Sequence, residues 1–172
     1  MIEASKRTKR PMVVLGTALL MLAAAFVFNV VPSAAVDPPP PIAAEPLTPR
    51  SVFPDEVDMK LKLRGHHGMM VVQVDDPSRT VTVRYTVQPG AQFPWHSHRG
   101  PVVVTLMSGT LNYIPAATCD ERIYSAGESF VDPGHGHVHS AVNRGTEPTV
   151  FIATFFEAPD AGPLLIPADP AC

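Results

Sequence analysis

At 172 residues the chain supports one domain with a sizeable core, and its first 35 residues read as a targeting segment rather than as part of that domain. Setting them aside removes four of the 13 Lys and Arg and one of the 16 Asp and Glu, leaving nine against fifteen and a net charge near −6. That balance offers no basic footprint, so nucleic acid and anionic lipid surfaces are excluded as partners.

Lys6, Arg7, Lys9 and Arg10 precede a run, Met12 to Val31, that is apolar apart from Thr17 and Asn29 and ends at Pro32, Ser33, Ala34 and Ala35. A basic start, an apolar stretch and small residues at its end describe a secretory signal peptide over residues 1–35. About 20 apolar residues also span a bilayer, so an uncleaved apolar helix acting as a transmembrane signal anchor is the alternative. In both cases the cations hold the N-terminus in the cytoplasm and send everything after Pro32 outside. The body is therefore expected to be exported, either secreted or anchored, and to meet the membrane only through this segment.

Residues 36–58 follow, with Pro38 to Pro41 in a row. A stretch so rich in proline favours extended polyproline II and reads as a semi-rigid linker. Past Asp58 the texture changes to short strand patterns cut by turns. Thr80 to Val87 alternates Val81, Val83, Tyr85 and Val87 with Thr82, Arg84 and Thr86, as a half-buried strand does. Similar stretches are Met69–Val74, Val102–Met107, Thr110–Ile114, Arg122–Tyr124, Ser129–Val131, Val138–Asn143 and Thr149–Phe156. No long helical repeat occurs after residue 59. Eight short strands at close spacing predict an all-β sandwich or barrel over residues 59–157. The proline-rich residues 158–172 read as an extended C-terminal tail.

The two cysteines are Cys119 and Cys172, the latter the final residue. Outside the cytoplasm a disulfide between them is the leading reading, closing a loop that contributes about 4 kcal/mol in the chain-entropy model. Two free thiols, or a thiolate ligand, are the rival reading.

Five of the seven histidines fall in two clusters, His96 and His98, then His135, His137 and His139. Alternate residues of a strand share a face, so His96 and His98 can meet one ion. Gly134 and Gly136 make the start of the second cluster a loop. A pair from one strand and a third from a neighbour form a facial set that leaves positions open for water or substrate. His66 and His67 read as loop residues, because adjacent side chains diverge on an extended segment.

Gly90, His96, His98, Val102 and Gly109 resemble the first motif of the cupin superfamily, whose usual form has Glu at the Val102 position. Gly127 and Pro133, followed by Gly136, His139 and Asn143, are similar to the second motif with one extra residue before Gly136. The resemblance implies a jelly-roll β-barrel holding a metal through His96, His98 and His139, and a homodimer by analogy with small cupins. His137 is read as a fourth ligand, as a group behind the ligands, or as part of the mouth. Asp132 is the nearest carboxylate in sequence, and its place before Pro133 suggests a turn cap. Val102 cannot replace an anionic ligand, so hard ions lose affinity and a bound ion keeps its full charge, which acidifies a bound water. The cofactor expected is a divalent transition metal, Zn, Fe, Cu or Mn.

Three functions follow. The first is a metal-dependent oxygenase or lyase/isomerase acting on a small organic molecule admitted past Phe93, Trp95 and the strand aromatics. Against it, no general base can be named, because Tyr85, Tyr113 and Tyr124 cannot be placed from sequence. The second is a non-catalytic barrel near the membrane that binds or senses metal or ligand. The third is a metal-free barrel whose histidines serve pH-dependent packing.

Overall fold

Burial follows the strand alternation. Val81, Val83, Tyr85 and Val87 are buried while Thr82, Arg84 and Thr86 between them are less so, the pattern of a strand with one face on a core. In this computed structural model the described residues are 41–172 apart from 66, 67, 75 and 78. The signal or anchor segment, the start of the linker, and His66 and His67 lie outside them. Among the described residues no helix is long and apolar enough to cross a membrane.

Thirteen strands are described: β1 (Ile42–Pro46), β2 (Ser51–Val52), β3 (Met59–Gly65), β4 (Gly68–Val74), β5 (Arg79–Val87), β6 (His96–Ser97), β7 (Val102–Ser108), β8 (Thr110–Pro115), β9 (Arg122–Ser125), β10 (Ser129–Asp132), β11 (His139–Val142), β12 (Thr149–Phe155) and β13 (Ile166–Pro167). One sheet runs β1-β5-β12-β7-β10, with β2 also on β5. The second runs β13-β6-β11-β8-β9, and β3 pairs with β4 as a separate hairpin. All pairings are antiparallel, so the fold is all-β.

The core lies between the inner faces of the two large sheets. β7 supplies Val102, Val104 and Leu106, β12 supplies Phe151, Ala153 and Phe155, and β8 adds Leu111 and Tyr113. Tyr85 stacks on Phe151 at 5.2 Å between ring centroids and meets Phe93 edge-on at 5.6 Å. Each such aromatic contact adds about 0.5–1.5 kcal/mol beyond area burial.

The sheet begins inside the stretch read as linker, which corrects that reading for residues 42–46. Ile42 to Pro46 pair with Val87 to Val83 along the whole of β1. Composition obscured this strand, because Pro41 precedes it and Pro46 ends it. Proline is tolerated there since β1 is an edge strand, with one row of backbone groups left unpaired.

Two tight features place the second histidine cluster against the first. Gly109 turns β7 into β8 with φ of 73°, and the loop after β10 passes so close to Gly100 that a Cβ on Gly134 would collide with the Gly100 carbonyl. Gly134 has φ of 65°, so both its handedness and its lack of a side chain are needed. His135 N–H then bonds Arg99 O at 3.1 Å, tying the loop to the residue after His98.

Candidate metal centre

Strand register explains how three histidines meet. β11 pairs with β6 so that His139 lies directly opposite His96, and opposed residues of an antiparallel pair project from the same face. His98, two residues along from His96, returns to that face. Ring centroids are separated by 4.9 Å for His96 and His98, 4.3 Å for His96 and His139, and 5.2 Å for His98 and His139. One ring nitrogen of each lies within 4.8 Å of the others, and all three residues are buried.

Each ring is fixed through Nδ1. His96 Nδ1–H donates to Pro94 O at 2.7 Å, and His98 Nδ1–H donates to Leu164 O at 2.9 Å. His139 Nδ1–H donates to His137 O at 3.4 Å and sits 3.1 Å from Asp132 Oδ2. Every one of these partners is an acceptor, so the proton belongs on Nδ1 and Nε2 is the nitrogen left to bind a metal. The donor set fits a divalent transition ion: three neutral imidazoles, oriented from behind, on one face.

Burial keeps the imidazoles neutral. It pushes His96 down to about 4, against a smaller upward pull from the Pro94 bond. His139 is pushed down to about 3, burial outweighing the nearby Asp132 charge. His98 is lowered for the same reason. Neutral histidine is the form that ligates, so no proton has to be displaced at neutral pH.

A stability consequence follows for the metal-free protein. In the unfolded chain these rings take up protons near their ordinary 6.5, whereas the folded chain stays neutral down to about 4 at His96 and about 3 at His139. A depressed folded value means stability is complete above about 6.5 and is lost as pH falls toward those folded values. The loss is expected to reach a few kcal/mol, on the order of 1.4 per unit for each ring. Melting temperature measured on metal-free protein should hold from about pH 7.5 to about 6.5 and fall from there to about pH 5. The His96→Gln/His139→Gln variant should flatten the curve, and a flat wild-type curve would contradict this account.

Asp132 is where sequence reasoning stopped short. It does cap the turn, since its Oδ1 accepts Gly134 N–H at 2.8 Å. Its Oδ2 also accepts Tyr113 O–H at 2.5 Å and His137 Nδ1–H at 3.2 Å, beside the His139 contact. β10 pairs with β7 so that Asp132 stands directly opposite Val102. A buried carboxylate thus stands across the strand pair from Val102, on the same inward face. It does not join the nitrogens of His96, His98 and His139 but groups with His137 and His139 behind them. Burial would raise this carboxyl, but the hydrogen bonds from His137 and Tyr113 and the nearby imidazoles hold it down at about 2.

His137 is a quarter exposed and lies on the outer side of Asp132, where it and Tyr113 also face a surface groove. His135 is turned away to Glu157, its Nε2 2.6 Å from Glu157 Oε2. The cavity in front of the three histidines is small, about 40 Å3, and its other walls are mainly apolar, among them Tyr85, Phe93, Phe130, Phe151, Phe155 and Leu165. Burial raises Tyr85 to about 12, and burial with the adjacent Asp132 charge raises Tyr113 as well. Both phenols are therefore neutral donors. Trp95 is half-buried, and Tyr124 stacks on Phe130 at 4.2 Å rather than facing the histidines.

Residues 83–155 match the Cupin_2 family, described as a cupin domain. The chain carries a cupin domain. No curated protein matches it significantly. Among solved structures the cupin domain is similar to the polyketide cyclase RemF from Streptomyces resistomycificus, at 17% identity over 52% of this chain and 61% of that one, with a TM-score of 0.45. It thus spans about three fifths of the cyclase's length. A Cupin 2 conserved barrel domain protein from Salinispora arenicola CNS-205 is similar at 20% identity over 68% and 76%, TM-score 0.46. KdgF from a Halomonas species is similar at 18% identity over 70% and 83%, TM-score 0.44. With TM-scores below 0.5, these likenesses carry no functional weight.

Proposed function

We propose that the cupin domain binds one divalent transition-metal ion through Nε2 of His96, His98 and His139, and that the small apolar-walled cavity beside it receives part of a small organic molecule. The observation that carries this reading is that each of the three rings has Nδ1 engaged by an acceptor while the rings converge on one buried point. Three protein ligands leave coordination positions open. When bound, such an ion supplies Lewis acidity and lowers the pKa of a coordinated water.

The chain's own groups limit the chemistry. Asp132, held at about 2, is a weak base, and Tyr85 and Tyr113 hold their protons. The cavity therefore lacks a protein acid/base pair, which favours the non-catalytic reading, in which the barrel binds or senses a ligand. The oxygenase or lyase/isomerase reading keeps the open coordination position in its favour, with the residues binding, orienting and excluding water. The cysteine pair supports placing the domain outside the cytoplasm, where disulfides persist.

Cobalt titration tests the site. Metal-free protein should develop the visible absorption of four- or five-coordinate Co2+ at one equivalent, and small apolar carbonyl or phenolic compounds should shift that spectrum. A Co2+ spectrum that no compound in such a panel perturbs would argue against the open ligand position. Turnover of any compound under the same conditions would decide for the enzyme.

A further inference from the structure

The C-terminal tail reaches the metal centre. Ile166 and Pro167 form β13 on β6, opposite Ser97 and His96. On one side of this pairing Leu164 O accepts His98 Nδ1–H at 2.9 Å, and on the other Ala168 N–H donates to Trp95 O at 2.9 Å. Leu165 lines the cavity. Four of these five consecutive residues thus bond or pair with the short stretch that carries two of the three histidines, and the fifth, Leu165, lines the cavity.

Leu164 and Leu165 pack against the core, and Arg50 donates to Pro159 O and Gly162 O just before them, but the rest of the segment is lightly held. β13 is two residues long, with Ile166 and Pro167 exposed. His98 in turn lies past the end of β6, so the ladder does not fix its ring, and Leu164 O is its Nδ1 partner. What anchors the far end of the tail is the bond between Cys172 and Cys119, whose Cα atoms are 6.0 Å apart across 53 residues of sequence. Holding a segment at both ends raises its effective concentration on the surface it contacts.

We propose that Leu164–Ala168 is a positioning element of the metal centre: Leu164 O fixes the ring of His98, Leu165 closes the cavity wall, and the Cys119–Cys172 disulfide keeps the segment seated. The consequence for metal affinity rests on the metal reading above. Releasing Leu164 O leaves His98 free to rotate and to exchange tautomers, and losing such a partner behind a ligand costs about 10- to 100-fold in affinity.

The test uses the full chain with Cys119→Ser/Cys172→Ser. Both cysteines are exposed and neither touches the three histidines, so the barrel core is unchanged. Trp95 is the sole tryptophan and half-buried, so it reports on the tail without any metal. In metal-free variant its emission should move to the red, and the amides bonded across β6 and β13 should exchange about tenfold faster or more. Zn2+ should still bind at one equivalent but about 10- to 100-fold more weakly. A chain ending at Pro163 and carrying Cys119→Ser gives the detached state and should show changes at least as large. Emission, exchange and Zn2+ affinity matching the wild type in the double variant would overturn the proposal. Wild-type protein that takes up no Zn2+ would instead overturn the metal reading, so the two failures are distinct.

Discussion

Asp132→Ala is expected to destabilise the protein by about 3–5 kcal/mol, because it removes the acceptor at the centre of a buried network. Tyr113 O–H, His137 Nδ1–H and Gly134 N–H all end on this one side chain, which is 1% exposed. A buried donor left without a partner costs about 1–3 kcal/mol, and Tyr113 O–H and Gly134 N–H both lose theirs. Metal affinity should fall as well. Three neutral imidazoles around a dication leave its whole double charge in an apolar cavity, and Asp132 offsets half of that charge without ligating. Asp132→Asn separates the two effects. It keeps an acceptor for Tyr113 and much of the stability, but loses the charge, so Zn2+ affinity should fall more than melting temperature does. An Asp132→Ala variant as stable as wild type would contradict the network's role, as would an Asp132→Asn variant with unchanged affinity.

Asp132 is half legible in the sequence. The cap could be read from Asp132 and Pro133 alone, because a turn is local. The pairing of Asp132 with Val102 depends on the register of β10 on β7, across a 30-residue gap that includes two other strands. The same division runs through the molecule. β5 was plain in the alternation of Val81, Val83, Tyr85 and Val87, since one face is buried and the other is not. β6 and β13 are each two residues long, too short for any periodicity, and they exist because β13 and β11 pair with β6 on either side. β1 was hidden by its prolines, and only the tertiary edge of β5 gives its backbone a partner. His96 and His98 could be paired from spacing, but His137 falls behind Asp132 because positive φ at Gly134, His135 and Gly136 rotates the loop away from strand alternation. The role of Leu164 could not be read at all, since a backbone carbonyl carries no signature of residue type.

The second large effect concerns the ligands themselves. Removing one imidazole of three takes away a third of the coordination and leaves two buried rings facing an incomplete site, so His96→Ala or His139→Ala should abolish tight binding rather than weaken it slightly. These rings are neutral and buried, so the apoprotein variants should fold, and His96→Ala should relieve some of the burial cost at low pH. Loss of metal without loss of fold is therefore the expected phenotype.

The measurement that decides the central claim is elemental analysis of protein purified without a metal-affinity column, with wild type, His96→Ala and His139→Ala in parallel. The account predicts about one equivalent of a divalent transition metal per wild-type chain and close to none in either variant. Metal content that is the same in all three proteins, or wild-type protein that neither carries nor takes up such an ion, would contradict it.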